Sequence, residues 1–223
     1  MKQLIVSLLF FCLVAQYVQA QNIVKRWGIG VLGGVNRTMP LWTSNSSTAY
    51  DPAYQPIVGL DIQYRLNRHA SLHLQPSYTR VNDQRSQANN WSNIISTYSL
   101  SSLKLPVLYR YRLFGSGTTP FFELGVGYNR AINGNGLVDS RYICDLIACP
   151  NDPMFYQQYS LTGKSAVSAI AGVGVNIELQ KISIPIVLRY ERYLSGHTFT
   201  SDYNANSSNL KVDGFMLLTG INF

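Results

Sequence analysis

Charge is scarce in this chain: Asp, Glu, Lys and Arg make up 13% of its 223 residues, against 46% hydrophobic and 12% aromatic. A chain that stays unfolded needs the opposite balance, which excludes an intrinsically disordered protein. Long apolar runs are lacking too. A polytopic helical membrane protein needs several stretches of about 18 residues or more, and no such series is present. Cysteine and histidine are rare, 3 of each. Cys144 and Cys149 have no histidine near them in sequence, too small a set for the four ligands of a structural zinc, so no metal site and no cofactor is expected.

The apolar residues that are present begin with a leader. Met1-Lys2-Gln3 is a short cationic start, Leu4 to Ala15 is apolar, and Val18-Gln19-Ala20 offers small residues for a peptidase. This pattern predicts a secretory signal over residues 1–20, cleaved after Ala20, with one domain over residues 21–223. Export places Cys144 and Cys149 in an oxidising compartment, where the spacing Cys-Asp-Leu-Ile-Ala-Cys predicts a disulfide.

Past the leader, apolar and polar residues alternate with period two in eight segments. Val58, Leu60, Ile62, Tyr64 and Leu66 form one apolar row; Leu103, Leu105, Val107, Tyr109 and Tyr111 form another. The rest start at Trp27, Ala70, Phe122, Ala166, Ile182 and Val212. Each reads as a half-buried strand of about ten residues. Eight such strands in a meander predict an all-β, eight-stranded antiparallel up-and-down barrel, because closure removes the exposed edges of an open sheet.

The connections alternate as well. Short turns fall at Asn67-Arg68, near Gly115 and at Gln180-Lys181, whereas long polar segments run over 38–55, 82–97, 132–163 and 195–211. Barrels of the outer membrane are built with short periplasmic turns and long external loops. Aromatics mark both ends of the apolar face: Trp27, Tyr64, Tyr111, Phe122 and Phe223 towards the turns, Tyr78, Tyr128, Tyr190 and Phe215 towards the loops. Such belts sit where lipid tails meet headgroups, so the apolar face is expected outside, and a lipocalin-like soluble barrel is disfavoured. Phe215, Leu217, Ile221 and terminal Phe223 form an amphipathic last strand of the kind read by the barrel-assembly machinery, an expected partner during insertion.

Leu103-Lys-Leu-Pro-Val-Leu-Tyr-Arg-Tyr-Arg112 resembles the fourth-strand signature of a family of small bacterial outer-membrane β-barrels, porin-like in label and OmpA/OmpX-type in strand number. The glycine-rich Gly28-Ile-Gly-Val-Leu-Gly-Gly34 and Phe223 are similar to that family as well. The resemblance implies an outer-membrane location and the barrel fold; it attaches no activity. Members range from surface proteins to a component associated with protein secretion.

An eight-stranded barrel has a bore that side chains fill, so the porin label and the strand count disagree. Strand parity sends Asp61, Arg65, Lys104, Arg110, Arg112, Glu123, Glu178, Arg189 and Glu191 inward, where charges of both signs are expected to pair. The function expected is a surface protein with a structural, binding or adhesive role; the alternatives are an accessory barrel for secretion and a narrow small-solute channel. A rim hydrolase ranks below these. Ser195, His197 and Asp202 share a loop and could make an activated hydroxyl, but a triad is defined by geometry, and Asn204, Asn206, Ser207 and Ser208 beside them read as coil. No catalytic residue is therefore assigned.

Trp42, Tyr50, Tyr54, Trp91, Tyr142, Phe155, Tyr156, Tyr159, Phe199 and Tyr203 supply more rings than solvated loops require, which suits an extracellular ligand or protein. Arg37, Arg80, Arg130 and Lys164 fall at the outer rim, at the level of lipopolysaccharide phosphates, diluted by Asp51, Asp83, Asp139 and Asp213. The basic residues are scattered by parity rather than clustered with exposed aromatics, so nucleic acid is not an expected partner.

Overall fold

The computed structural model describes residues 26–40, 48–51, 54–88, 92–114, 117–142, 154–179, 181–201 and 207–223. The expected leader, Cys144, Cys149, Asp202, Trp42, Trp91 and Tyr203 lie outside them.

The strands in chain order are β1 (Trp27–Pro40), β2 (Thr48–Asp51), β3 (Tyr54–Arg65), β4 (Ala70–Leu74), β5 (Ser77–Ala88), β6 (Ser92–Arg112), β7 (Thr118–Tyr142), β8 (Met154–Gly163), β9 (Ser165–Glu178), β10 (Ser183–Tyr193), β11 (His197–Ser201), β12 (Ser207–Leu210) and β13 (Val212–Asn222). All pairings are antiparallel. The first barrel strand pairs with the last, from Gly30 opposite Asn222 to Pro40 opposite Val212, and this closes the sheet. The closed ring runs β1, β3, β4 with β5, β6, β7, β9, β10 and β13, eight staves in all. β4 and β5 form one stave, interrupted at Gln75-Pro76 because proline brings no N–H to the ladder. The Pro76 carbonyl still accepts the Leu60 N–H at 2.9 Å.

Alternation decides the two faces. In β3, Val58 and Leu60 point out and are 62% and 42% exposed, while Asp61 and Gln63 point in and are buried. Val107, Leu124, Val126, Val173, Leu188 and Leu217 continue the outer apolar band around the ring. Ring pairs mark its edges: Trp27 with Tyr64 at 4.8 Å and Tyr111 with Phe122 at 5.4 Å near the turns, Tyr190 with Phe215 at 5.0 Å near the loops.

The turns are tight. Asn67 Oδ1 accepts the N–H groups of His69 and Ala70 at 2.8 and 2.7 Å, an Asx-type closure of the first. Gly117, in the second, has φ +79°, a conformation that glycine adopts without Cβ strain.

The long segments depart from the coil expected of them. β6 and β7 remain paired to Ser92 opposite Tyr142, and β8, β11 and β12 extend this sheet beyond the ring. The facing pattern inverts there. Arg80, Asn82, Gln84, Thr97, Asn133 and Asn135 turn outward and are exposed. Val81, Tyr98, Leu100, Ala131, Ala166, Tyr193, Phe199 and Leu210 turn inward as a buried apolar cluster. Polar groups outside and apolar groups inside are the arrangement that a water-surrounded sheet requires, the reverse of the apolar band. A bulge at the Ser101/Ser102 step, where Ala131 and Asn133 oppose successive residues, carries β7 through the change.

Candidate functional site

The bore of the ring is the most organised polar region among the described residues. Glu123 on β7 lies at its centre, wholly buried, and accepts from two guanidiniums: Arg110 Nη2 donates to Oε2 at 2.9 Å and Arg189 Nε to Oε1 at 2.7 Å. Arg110 lies over the Phe121 ring, its guanidinium carbon 4.1 Å from the centroid. Gly174 on the adjoining stave makes room for that ring, since a Cβ there would stand 2.6 Å from Phe121 Cζ. Nearer the loops, Lys104 Nζ donates to Glu191 Oε2 at 2.5 Å, and Ser168 and Asn129 donate to Glu191 Oε1 at 2.6 and 3.1 Å. Nearer the turns, Arg112 Nη1 donates to Glu178 Oε1 at 2.6 Å.

Asp61 has no Lys or Arg directly on it. Its Oδ1 lies 2.8 Å from His73 Nδ1 and accepts from Gln75 Nε2 at 3.0 Å; its Oδ2 accepts from Asn222 Nδ2 at 3.1 Å. His73 Nε2 in turn lies 2.9 Å from Ser71 Oγ, and Arg189 Nη2 donates to Gln75 Oε1 at 2.8 Å. One chain of contacts therefore runs Ser71, His73, Asp61, Gln75, Arg189, Glu123, Arg110 across the bore. The parity of charged residues places Asp61, Glu123 and the guanidiniums here. The same alternation puts Ser71, His73, Gln75 and Asn129 on the inner face without naming their partners, and Ser168 and Asn222 carry no charge to mark them. Ser71, His73 and Asp61 have the connectivity of an activated serine, with Ser71 2% exposed and His73 and Asp61 each 1% exposed behind it.

Arg65 departs from the other inward residues. It is exposed at the turn end and makes no ion pair among the described residues.

Of the residues with triad chemistry in the last loop, Ser195 is exposed and its Oγ accepts the Val167 N–H at 2.9 Å. His197 is wholly buried, edge-on to Tyr193 at 6.0 Å, and no hydrogen bond joins it to Ser195. At the rim, Arg80, Arg130 and Lys164 are exposed, Arg37 lies over the Tyr54 ring at 5.7 Å, and Asp213 is buried, placed to accept from Tyr190 and the Tyr193 N–H. Tyr54 is exposed, Tyr159 partly buried and Phe199 buried in the apolar cluster. The side chains of Tyr50, Asp51, Asp83, Tyr142, Phe155 and Tyr156 lie outside the described residues. Phe215, Leu217, Ile221 and Phe223 all face outward, between 40% and 60% exposed.

Two spaces lie along the axis among the described residues. The void beside Asp61, Arg110 and Arg189 measures about 10 Å³. The turn-end mouth opens into a cavity of about 430 Å³ bordered by Arg26, Arg65, Arg68, His69, Arg112 and Glu178, with Ser71 on its wall.

A family described as outer membrane protein beta-barrel domain matches residues 15–196. Solved structures similar in fold include Neisserial surface protein A, at 12% identity over 88% of this chain and 95% of that one, with a TM-score of 0.44. OprG from Pseudomonas aeruginosa is 13% identical over 88% and 95%, with a TM-score of 0.47. Ail, the attachment invasion locus protein of Yersinia pestis, is 14% identical over 88% and 97%, with a TM-score of 0.37. No curated protein sequence matches the chain.

Proposed function

The chain belongs to the outer membrane protein beta-barrel domain family, and from that premise we propose that it is a non-conducting barrel of the outer membrane that presents its external sheet and loops to a surface partner. The filling of the bore carries this reading. The void at the level of Glu123 and Asp61 has room for about one water, and the apolar cluster around Leu100, Tyr193 and Phe199 stands above it as a second barrier in series. Water-filled porins use about 16–18 staves, twice the number here. Nothing in such a bore exchanges a solute the size of a sugar.

What remains for function is the outside. The polar outer face of the extended β5, β6 and β7, with Tyr54 beside Arg37 at the rim, favours binding or adhesion. Exposed Arg80, Arg130 and Lys164 suit the phosphates of lipopolysaccharide at the same height. Planar-bilayer recording tests the reading: the purified barrel gives no steady conductance, and a current comparable to that of a general porin overturns it.

A further inference from the structure

The turn-end mouth carries a charge imbalance that the rest of the barrel does not. The 430 Å³ cavity is bordered by four arginines, Arg26, Arg65, Arg68 and Arg112, and by one acidic residue, Glu178. That carboxylate is already engaged by Arg112 at 2.6 Å. Arg26, Arg65 and Arg68 are exposed and make no ion pair among the described residues. Their backbone is nevertheless held in place. Arg65 N–H donates to the Arg26 carbonyl at 2.7 Å, and Arg68 sits in the turn that Asn67 closes onto His69 and Ala70. His69 is fixed beside them, its Nδ1 3.2 Å from the Arg112 carbonyl and its ring 6.1 Å from Tyr111.

The cavity is blind. Ser71, 2% exposed, stands on its wall, and beyond it the bore is filled by the His73, Asp61 and Gln75 contacts. A space of this kind binds and does not pass. Its size falls within the usual range for small-molecule sites, about 300–1,000 Å³. Arginines gathered around one cavity select an anion, and the planar forks of guanidiniums match the paired oxygens of phosphate. With three cations left uncompensated, a compact ligand bearing more than one negative charge fits better than a monoanion. The residues that border it belong to the inner face and the turns, so the cavity opens along the barrel axis towards the periplasm and not sideways to lipid.

The geometry points to a periplasmic binding site for a small, soluble phosphorylated polyanion at this mouth, built on Arg26, Arg65, Arg68 and Arg112. A lipid headgroup shares the phosphate chemistry, so the test separates the two. Isothermal titration of the refolded full-length mature barrel in non-ionic detergent, with pyrophosphate as probe, gives saturable one-to-one binding. The double variant Arg65→Gln/Arg68→Gln weakens it at least tenfold while leaving the heat-dependent gel shift of the folded barrel intact, since neither side chain joins the buried network. In phosphatidylcholine nanodiscs the affinity persists, and adding phosphatidylglycerol changes it less than threefold. Absence of saturable heat, equal binding by the double variant, or abolition of pyrophosphate binding by phosphatidylglycerol overturns the proposal, the last in favour of a headgroup contact.

Discussion

Glu123 answers two guanidiniums with one carboxylate, so its removal strands more charge than any other single change in the bore. In Glu123→Gln the amide retains one acceptor oxygen, and Arg110 and Arg189 lose their shared counter-charge inside a space that admits about one water. Breaking a buried pair from one side costs about 3–5 kcal/mol, and this change is expected to fall in that range, read as a lower urea midpoint for unfolding from detergent. A shift under about 1 kcal/mol means that the pair is solvated. Parity alone located Glu123, Arg110 and Arg189 on the inner face, because a period of two is all that facing requires. Which carboxylate meets which cation is a different matter: it depends on the stagger between staves that are distant in sequence, such as Arg189 and Gln75. His73 as the partner of Asp61 is a case in point. A lone histidine on an inward row carries no sign of the strand its ring will face.

Elements were legible where their surroundings stay constant along their length. All eight staves alternate within the apolar band, and each is recognisable from Trp27 to Phe223. The outer parts of β6 and β7 were not, because alternation changes sign where lipid gives way to water and slips once more at the bulge near Ile132. Polar outward residues such as Asn133 and Asn135 then read as loop. The cap they build contains His197, whose imidazole is pushed below its ordinary value of 6.5 by burial, with the Lys104 ammonium acting in the same direction and the backbones of Gly163 and Lys164 opposing. A depressed histidine means that the unfolded cap binds the proton first as pH falls. The histidine's stabilising share is therefore complete above the ordinary value and is lost as pH drops from there towards the lower folded one. Hydrogen exchange, corrected for intrinsic rates, is expected to show β8 and β11 amides less protected at about pH 5 than at about pH 8, and His197→Leu to remove the difference. In the neighbouring connection, Cys144 and Cys149 are expected to form a disulfide that closes a short loop, worth no more than about 3 kcal/mol and felt only locally. Mass spectrometry of freshly isolated, alkylated protein checks this, since two free thiols contradict it.

For the whole molecule, closure is the decisive event, because until β13 meets β1 both strands are open edges in a membrane that offers no alternative hydrogen bonds. The seam is long and regular, from Gly30 opposite Asn222 to Pro40 opposite Val212, and the Phe223 N–H adds one more bond, to the Ile29 carbonyl at 3.0 Å. Phe223 then projects outward at 60% exposure, in line with Ile221, Leu217 and Phe215. A side chain so placed contributes little packing inside the barrel. Deleting Phe223 removes one terminal hydrogen bond and leaves the rest of the seam, so the finished barrel is expected to lose only about 1 kcal/mol and to refold in detergent with its normal gel shift. In cells the expectation differs: if the terminal aromatic is what the assembly machinery reads, the deletion variant reaches the outer membrane at a fraction of the wild-type level despite its intact stability. Comparing detergent refolding with membrane recovery of the same variant separates the two effects. Equal recovery in the membrane means that Phe223 is only the last residue of a strand, whereas failure in both assays makes it part of the seam's stability.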